Sequence, residues 1–135
     1  MKPRLSHVAI AVRSIGEVLP FYTDVMGLGP AEIHDVPEQG VRVALLSVDE
    51  VAVELVEPLD QQGAVARFLE RRGEGLHHIC FEVEDLPEEL ARLSRLGVEL
   101  INAYPQHTGT RKIAFLHPRW THGVLIELEA REEGP

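Results

Sequence analysis

The strongest constraint on this chain is that it contains one pattern twice. Leu5-Ser6-His7-Val8-Ala9-Ile10-Ala11-Val12 is matched by Leu76-His77-His78-Ile79-Cys80-Phe81-Glu82-Val83, with His7 falling on His78. Each run leads into a helix through a capping residue three positions before a Glu, Ser14 to Glu17 and Asp85 to Glu88. The ends of the halves match as well, Val53-Glu54-Leu55 on Ile126-Glu127-Leu128. The 135 residues therefore read as a single domain, 1–135, made of repeat 1 (4–63) and repeat 2 (74–130). Each repeat brings one His at its start and one Glu at its end.

Hydrophobic periodicity fills in the elements. Residues 5–12 alternate as a strand, with Val8, Ile10 and Val12 on a face that packs on a helix. His7 shares its face with Ala9 and Ala11, small residues that leave space. Val18, Leu19, Phe21, Tyr22, Val25 and Met26 recur at helical spacing over 15–26, with Pro20 delaying or bending the helix. Strands are expected at 30–36, 41–48 and 51–57, the last with Glu54 opposite in facing to Val53 and Leu55. A short helix over 64–72 and the Gly73-Glu74-Gly75 joint lead to a strand over 76–83, with His78, Cys80 and Glu82 on one face. A helix over 86–96, a strand over 98–104, a polar loop over 105–110 and strands at 111–116 and 123–129 complete the second half, before a frayed tail. Each half is then βαβββ. Such a unit cannot cover both faces of its sheet alone, so pairing two copies is the natural solution. The expected fold class is α+β, two βαβββ modules pairing into a curved mixed sheet around a metal-binding cleft.

Composition narrows the function. A net charge of −9 argues against nucleic acid as a partner, while leaving room for an anionic small ligand at a local basic patch. Cys80 is the only cysteine, so no intramolecular disulfide forms, which fits a reducing compartment. The N-terminus lacks the apolar run of a signal peptide and no stretch is long enough to span a bilayer. The expectation is a cytoplasmic protein without a membrane partner.

His7, Glu54, His78 and Glu127 are the residues the repeat singles out. A lone strand His is more commonly a packed or solvated residue than a ligand. The coincidence of two His and two Glu at equivalent positions is what carries weight. If the halves curve around one cleft, two imidazoles and two carboxylates meet there. That donor set suits a borderline divalent first-row metal with water in its remaining positions. His77 has the wrong strand parity and belongs to the other face, and Cys80 is read as a small core residue.

At these residues the chain resembles the vicinal oxygen chelate (glyoxalase) superfamily, which includes glyoxalase I, extradiol dioxygenases and methylmalonyl-CoA epimerases. The likeness to the epimerase family covers nearly the whole length. It lies in Pro37-Glu38-Gln39-Gly40-Val41, in Phe68-Leu69-Glu70-Arg71-Arg72-Gly73-Glu74-Gly75-Leu76-His77-His78-Ile79, and in Ala114-Phe115-Leu116-His117-Pro118 with Gly123-Val124-Leu125-Ile126-Glu127-Leu128. The resemblance implies His7, His78 and Glu127 as metal ligands, with Glu54 where relatives place a Gln or Glu near the metal. It implies a redox-silent ion, Co2+, Mn2+, Ni2+ or Zn2+, and an acyl-CoA substrate.

The implied reaction inverts the carbon between a thioester and a carboxylate through an enediolate, with chelation of both groups stabilising the developing charge. Inversion needs proton loss on one face and return on the other. Glu127 is the first candidate base and Glu54 the candidate for the opposite face. Some epimerases carry another acid at the position of Val43, which this chain lacks. Thr108-Gly109-Thr110-Arg111 also departs from the Gly-Gly pair of many relatives. Gln39 is a candidate hydrogen-bond donor to the substrate, and Arg111, Lys112 and Arg119 are candidates for the CoA phosphates. A glyoxalase I-type lactoylglutathione lyase and a non-catalytic small-molecule-binding member are the rival functions. By analogy with relatives the protein is expected to be a homodimer.

Overall fold

Helices begin where the sequence places their caps. In the computed structural model, which describes residues 2–101, 106–108 and 111–131, the Ser14 hydroxyl accepts the Glu17 N–H at 3.2 Å and the Asp85 carboxylate accepts the Glu88 N–H at 3.0 Å. These contacts satisfy N–H groups that the first helical turn leaves without an intrahelical partner. The carboxylate of Glu57 takes a third, the N–H of Ile15, at 2.7 Å.

The chain divides into two compact units, His7–His77 and the pair Met1–Ser6 with His78–Pro135. Strand β1 (Arg4–Ala11) begins in the second and ends in the first. The first unit continues with α1 (Ile15–Pro20), β2 (Glu32–Val36), β3 (Val41–Val48), β4 (Val51–Pro58) and α2 (Ala64–Arg72). Its strand order is β2-β3-β4-β1, antiparallel except for the parallel β4–β1 pair. That pair sets Ala9 beside Glu54 and Ile10 beside Leu55. One sheet face buries Leu55 and Ala44 with Val12 and Ile15, against Val18, Leu19 and Tyr22 of the first helix region. The other buries Ala9, Ala11, Val41, Val43 and Val56 under Val65 and Leu69 of α2.

The second face corrects one expectation. Ala9 and Ala11 were expected to leave open space, yet both are wholly buried because α2 lies over them. The long first helix is also not uniform. It is α-helical only to Pro20, and Phe21–Val25 continue with wider π-type turns, the Met26 N–H donating to the Phe21 carbonyl at 3.0 Å. Proline has no N–H to continue the i to i−4 ladder, so the change of hydrogen-bond step falls at the residue that interrupts it.

The second unit holds β5 (Gly75–Glu82, from His78 onward), α3 (Leu86–Arg95), β6 (Gln106–Thr108), β7 (Arg111–Leu116) and β8 (Ile126–Arg131). Its order is β5-β8-β7-β6, with β5 and β8 parallel and the remaining pairs antiparallel. Leu86 of α3 is buried with Ala114, Leu128 and Ala130, and Leu90 and Leu93 pack on the same cluster. Two boundaries differ from the periodicity. The strand expected over 98–104 is reduced, within the described residues, to a bridge between Leu100 and Leu116. The polar loop expected over 105–110 contains the short strand β6, paired to β7 with Thr108 opposite Arg111. Three polar residues form that strand, and nothing in their periodicity announces it. The rest of that loop, and the tail beyond 131, lie outside the described residues.

Candidate active site

Each unit holds one His–carboxylate pair, and each is built by the same local rule. In the first unit His7 on β1 and Glu54 on β4 lie on one sheet face, since Ala9, two residues after His7, is the neighbour of Glu54. The His7 Nδ1 to Glu54 Oε2 distance is 3.2 Å. In the second unit Cys80, two residues after His78, is the neighbour of Glu127 on β8. Here the His78 Nε2 to Glu127 Oε1 distance is 3.0 Å. Parallel strands carry both pairs, and the two-residue offset lets the side chains meet diagonally. His7 and Glu127 are among the few buried polar residues, 7% and 5% exposed. A buried carboxylate without a partner is strongly unfavourable, so pairing is the condition for its burial. Among the described residues no buried side-chain nitrogen or oxygen lacks a hydrogen-bond partner.

The surroundings differ between the units. Leu45 lies beside Glu54 on β3. Phe115 lies beside Glu127 on β7 and sets its ring edge-on to His78 at 5.8 Å. Cys80 is wholly buried. Burial pushes its thiol pKa up, and the nearby negative charges of Glu127 and Glu129 push it further. A thiol held protonated in this way is inert as a nucleophile. His77, by contrast, lies edge-on to Phe68 of α2 at 4.9 Å between ring centres.

The other candidates scatter. Gln39 ends a short 3₁₀ turn, Pro37–Gln39, whose last carbonyl lies against Gly63 at the start of α2. Lys112 is in register with Ala130, which places it on the face that packs on α3 and not on the His78–Glu127 face. Arg119 is exposed in the Pro118–Trp120 turn. Arg111 does share the face of His78 and Glu127, and its guanidinium is engaged there. Nη1 lies 3.1 Å from Glu82 and 3.5 Å from Glu129. The Ser6 hydroxyl donates to Glu129 at 2.5 Å. Sequence reasoning passed over this Ser6–Glu129–Arg111–Glu82 network. The available signal was strand parity, because Glu82 follows Cys80 by two residues and Glu129 follows Glu127 by two.

Comparison with known proteins places the chain in a family. Residues 6–115 match the Glyoxalase/Bleomycin resistance protein/Dioxygenase superfamily. An ethylmalonyl-CoA/methylmalonyl-CoA epimerase of Cereibacter sphaeroides is 35% identical over 129 residues, covering 93% of this chain and 96% of the relative. The uncharacterized protein YqjC of Bacillus subtilis is 46% identical over 126 residues, 93% of this chain and 90% of its own. A methylmalonyl-CoA epimerase solved in complex with methylmalonyl-CoA and ammonium superposes with a TM-score of 0.89 at 31% identity, covering all of both chains. Two βαβββ modules, a His–carboxylate pair in each, and this likeness over nearly the full length make the chain a member of the glyoxalase/bleomycin resistance/dioxygenase, or vicinal oxygen chelate, superfamily.

Proposed function

We propose that this protein is a methylmalonyl-CoA epimerase that interconverts the (2R) and (2S) thioesters by moving the C2 proton. The observation that carries the reading is the duplicated pair itself, an imidazole no more than 11% exposed within hydrogen-bonding distance of a carboxylate in each unit. Epimerase relatives at about one-third identity, one of them solved with methylmalonyl-CoA, support the choice of substrate.

The donor set fits a divalent ion. Two neutral imidazole nitrogens and two carboxylates suit Co2+, Mn2+, Ni2+ or Zn2+, and His7, Glu54, His78 and Glu127 are the ligands we assign. When bound, such an ion would act as a Lewis acid toward the substrate oxygens and lower the cost of ionising C2.

The chain's own residues then carry the proton. Glu127 takes the C2 proton, and the C–H electron pair moves into the thioester carbonyl. Glu54 delivers a proton to the opposite face of C2, and the electron pair returns to re-form the C–H bond. No group is oxidised or reduced, and the two carboxylates exchange their protonation states through solvent before the next turnover. Gln39 is assigned a hydrogen bond to the substrate carbonyl or carboxylate. Arg119 is assigned to the CoA phosphates.

The test is exchange of the C2 proton of methylmalonyl-CoA in deuterated water, followed by NMR with and without chelator. The reading expects exchange accompanied by epimerisation, both lost on chelation and restored by divalent metal, with about one ion bound per chain. Absence of exchange in the metal-loaded protein, or exchange indifferent to chelator, would overturn it.

A further inference from the structure

Arg111 stands in a different setting from Arg42 and Arg92, which are ion-paired as well. Its side chain is 31% exposed, against 45% for Arg42 and 53% for Arg92. Nη1 lies 3.5 Å from Oε1 of Glu129, whose side chain is 9% exposed and which also accepts the Ser6 hydroxyl. Its other partner, Glu82, accepts a hydrogen bond from Nη1 at 3.1 Å and is 40% exposed. One carboxylate is therefore buried, and the other has solvent on one side into which it can turn. Among the described residues, both carboxylate contacts of Arg111 go through Nη1.

We propose that Arg111 is the receptor for the free carboxylate of a malonyl-type acyl thioester, and that Glu82 occupies its place until substrate arrives. This rests on the epimerase reading and adds to it the residue that selects the substrate class. The sequence offers Arg111 as one candidate for the CoA phosphates; its place on the sheet face of Glu127 and Glu129 assigns it to the acyl end.

Three physical points carry the inference. First, the planar guanidinium matches a carboxylate in two parallel hydrogen bonds. Second, replacing Glu82 by a substrate carboxylate swaps like for like, so the local charge of two carboxylates and one guanidinium is unchanged. Releasing Glu82 gives up one part-buried hydrogen bond, which the incoming carboxylate replaces. Third, the site is within reach of the chemistry. Glu129 follows Glu127 by one pleat repeat, about 7 Å along β8, and the substrate carboxylate is one bond from the carbon that Glu127 addresses.

The experiment measures binding of malonyl-CoA and acetyl-CoA to chelator-treated protein by calorimetry, which removes any metal contribution to carboxylate recognition. Wild type should prefer malonyl-CoA by about tenfold or more, the scale of a hydrogen bond between charged groups. Arg111→Gln should level the two affinities, and Arg111→Lys should keep part of the preference. Glu82→Gln should tighten malonyl-CoA severalfold and leave acetyl-CoA unchanged. A structural role alone would lower the melting temperature of Arg111→Gln without changing the affinity ratio. A preference that survives in Arg111→Gln, or is missing from wild type, overturns the proposal. If Arg111→Gln does not fold, an unchanged ratio in Glu82→Gln overturns it instead. These outcomes are separate from failure of the exchange assay in metal-loaded wild type, which would remove the epimerase reading itself.

Discussion

Replacing Glu127 by Gln isolates the chemistry of the second unit's pair from its packing. Glutamine keeps the length and volume of the side chain and retains one carbonyl oxygen to accept from His78, 3.0 Å away. What it loses is the charge and the ability to take a proton. At 5% exposure the side chain cannot draw a compensating shell of water. A hydrogen bond to a charged group contributes about 1.5–3 kcal/mol, and a neutral one about 1 kcal/mol. The variant should therefore lose about 1 kcal/mol, equivalent to a melting temperature about 4 °C lower. Withdrawing one negative charge from a face that also carries Glu82 and Glu129 offsets part of that loss. Catalysis should suffer far more, because a positioned general base contributes about 10²–10⁴-fold. The assay is C2 deuterium incorporation into methylmalonyl-CoA at saturating metal, with thermal unfolding measured on the same preparation. Exchange within threefold of wild type in a folded Glu127→Gln would refute the assignment of Glu127 as base. A fall in melting temperature beyond about 15 °C would refute the claim that its role is separable from packing.

Other consequences follow from burial and charge. Leu55 is wholly buried between strand and helix in the first unit, so Leu55→Ala should lose about 3 kcal/mol in urea unfolding; a loss under about 1 kcal/mol would mean the site collapses to fill the cavity. Cys80, buried with a raised thiol pKa, should not react with a disulfide reagent at pH 8 in the folded protein and should react fully in urea; rapid labelling of the native state would contradict its burial. Asp35 is held below the usual carboxylate range, first by its hydrogen bond from Arg42 and then by that charge. A depressed folded pKa means the pair's small contribution is present above the unfolded carboxylate value and disappears as pH falls through the folded one. Asp35→Asn should therefore narrow its gap to wild type as the urea midpoint is followed from pH 6 to pH 2, and a gap that widens toward acid would reverse the sign of that argument.

Much of this protein was legible in order along the chain. A strand alternates with period two and a helix with period 3.6, and both leave their mark in local sequence whatever surrounds them. The caps at Ser14 and Asp85, the turn at Asp49, and the shared facing of His78, Cys80 and Glu82 all follow from such local rules. So does the equivalence of the two His–Glu pairs, since duplication copies position as well as composition. Register between strands distant in sequence is different. Which residue of β8 lies beside Cys80, and which carboxylates meet Arg111, depends on how far one strand slides along another. A slide of two residues changes no side chain's facing, so periodicity is blind to it. The same holds for α2, whose place over Ala9 and Ala11 was set by packing that no single segment contains. The chain by itself determined which residues face which way; the tertiary structure decided which of them touch, because contact across strands is settled by the joint packing of segments that local sequence does not couple.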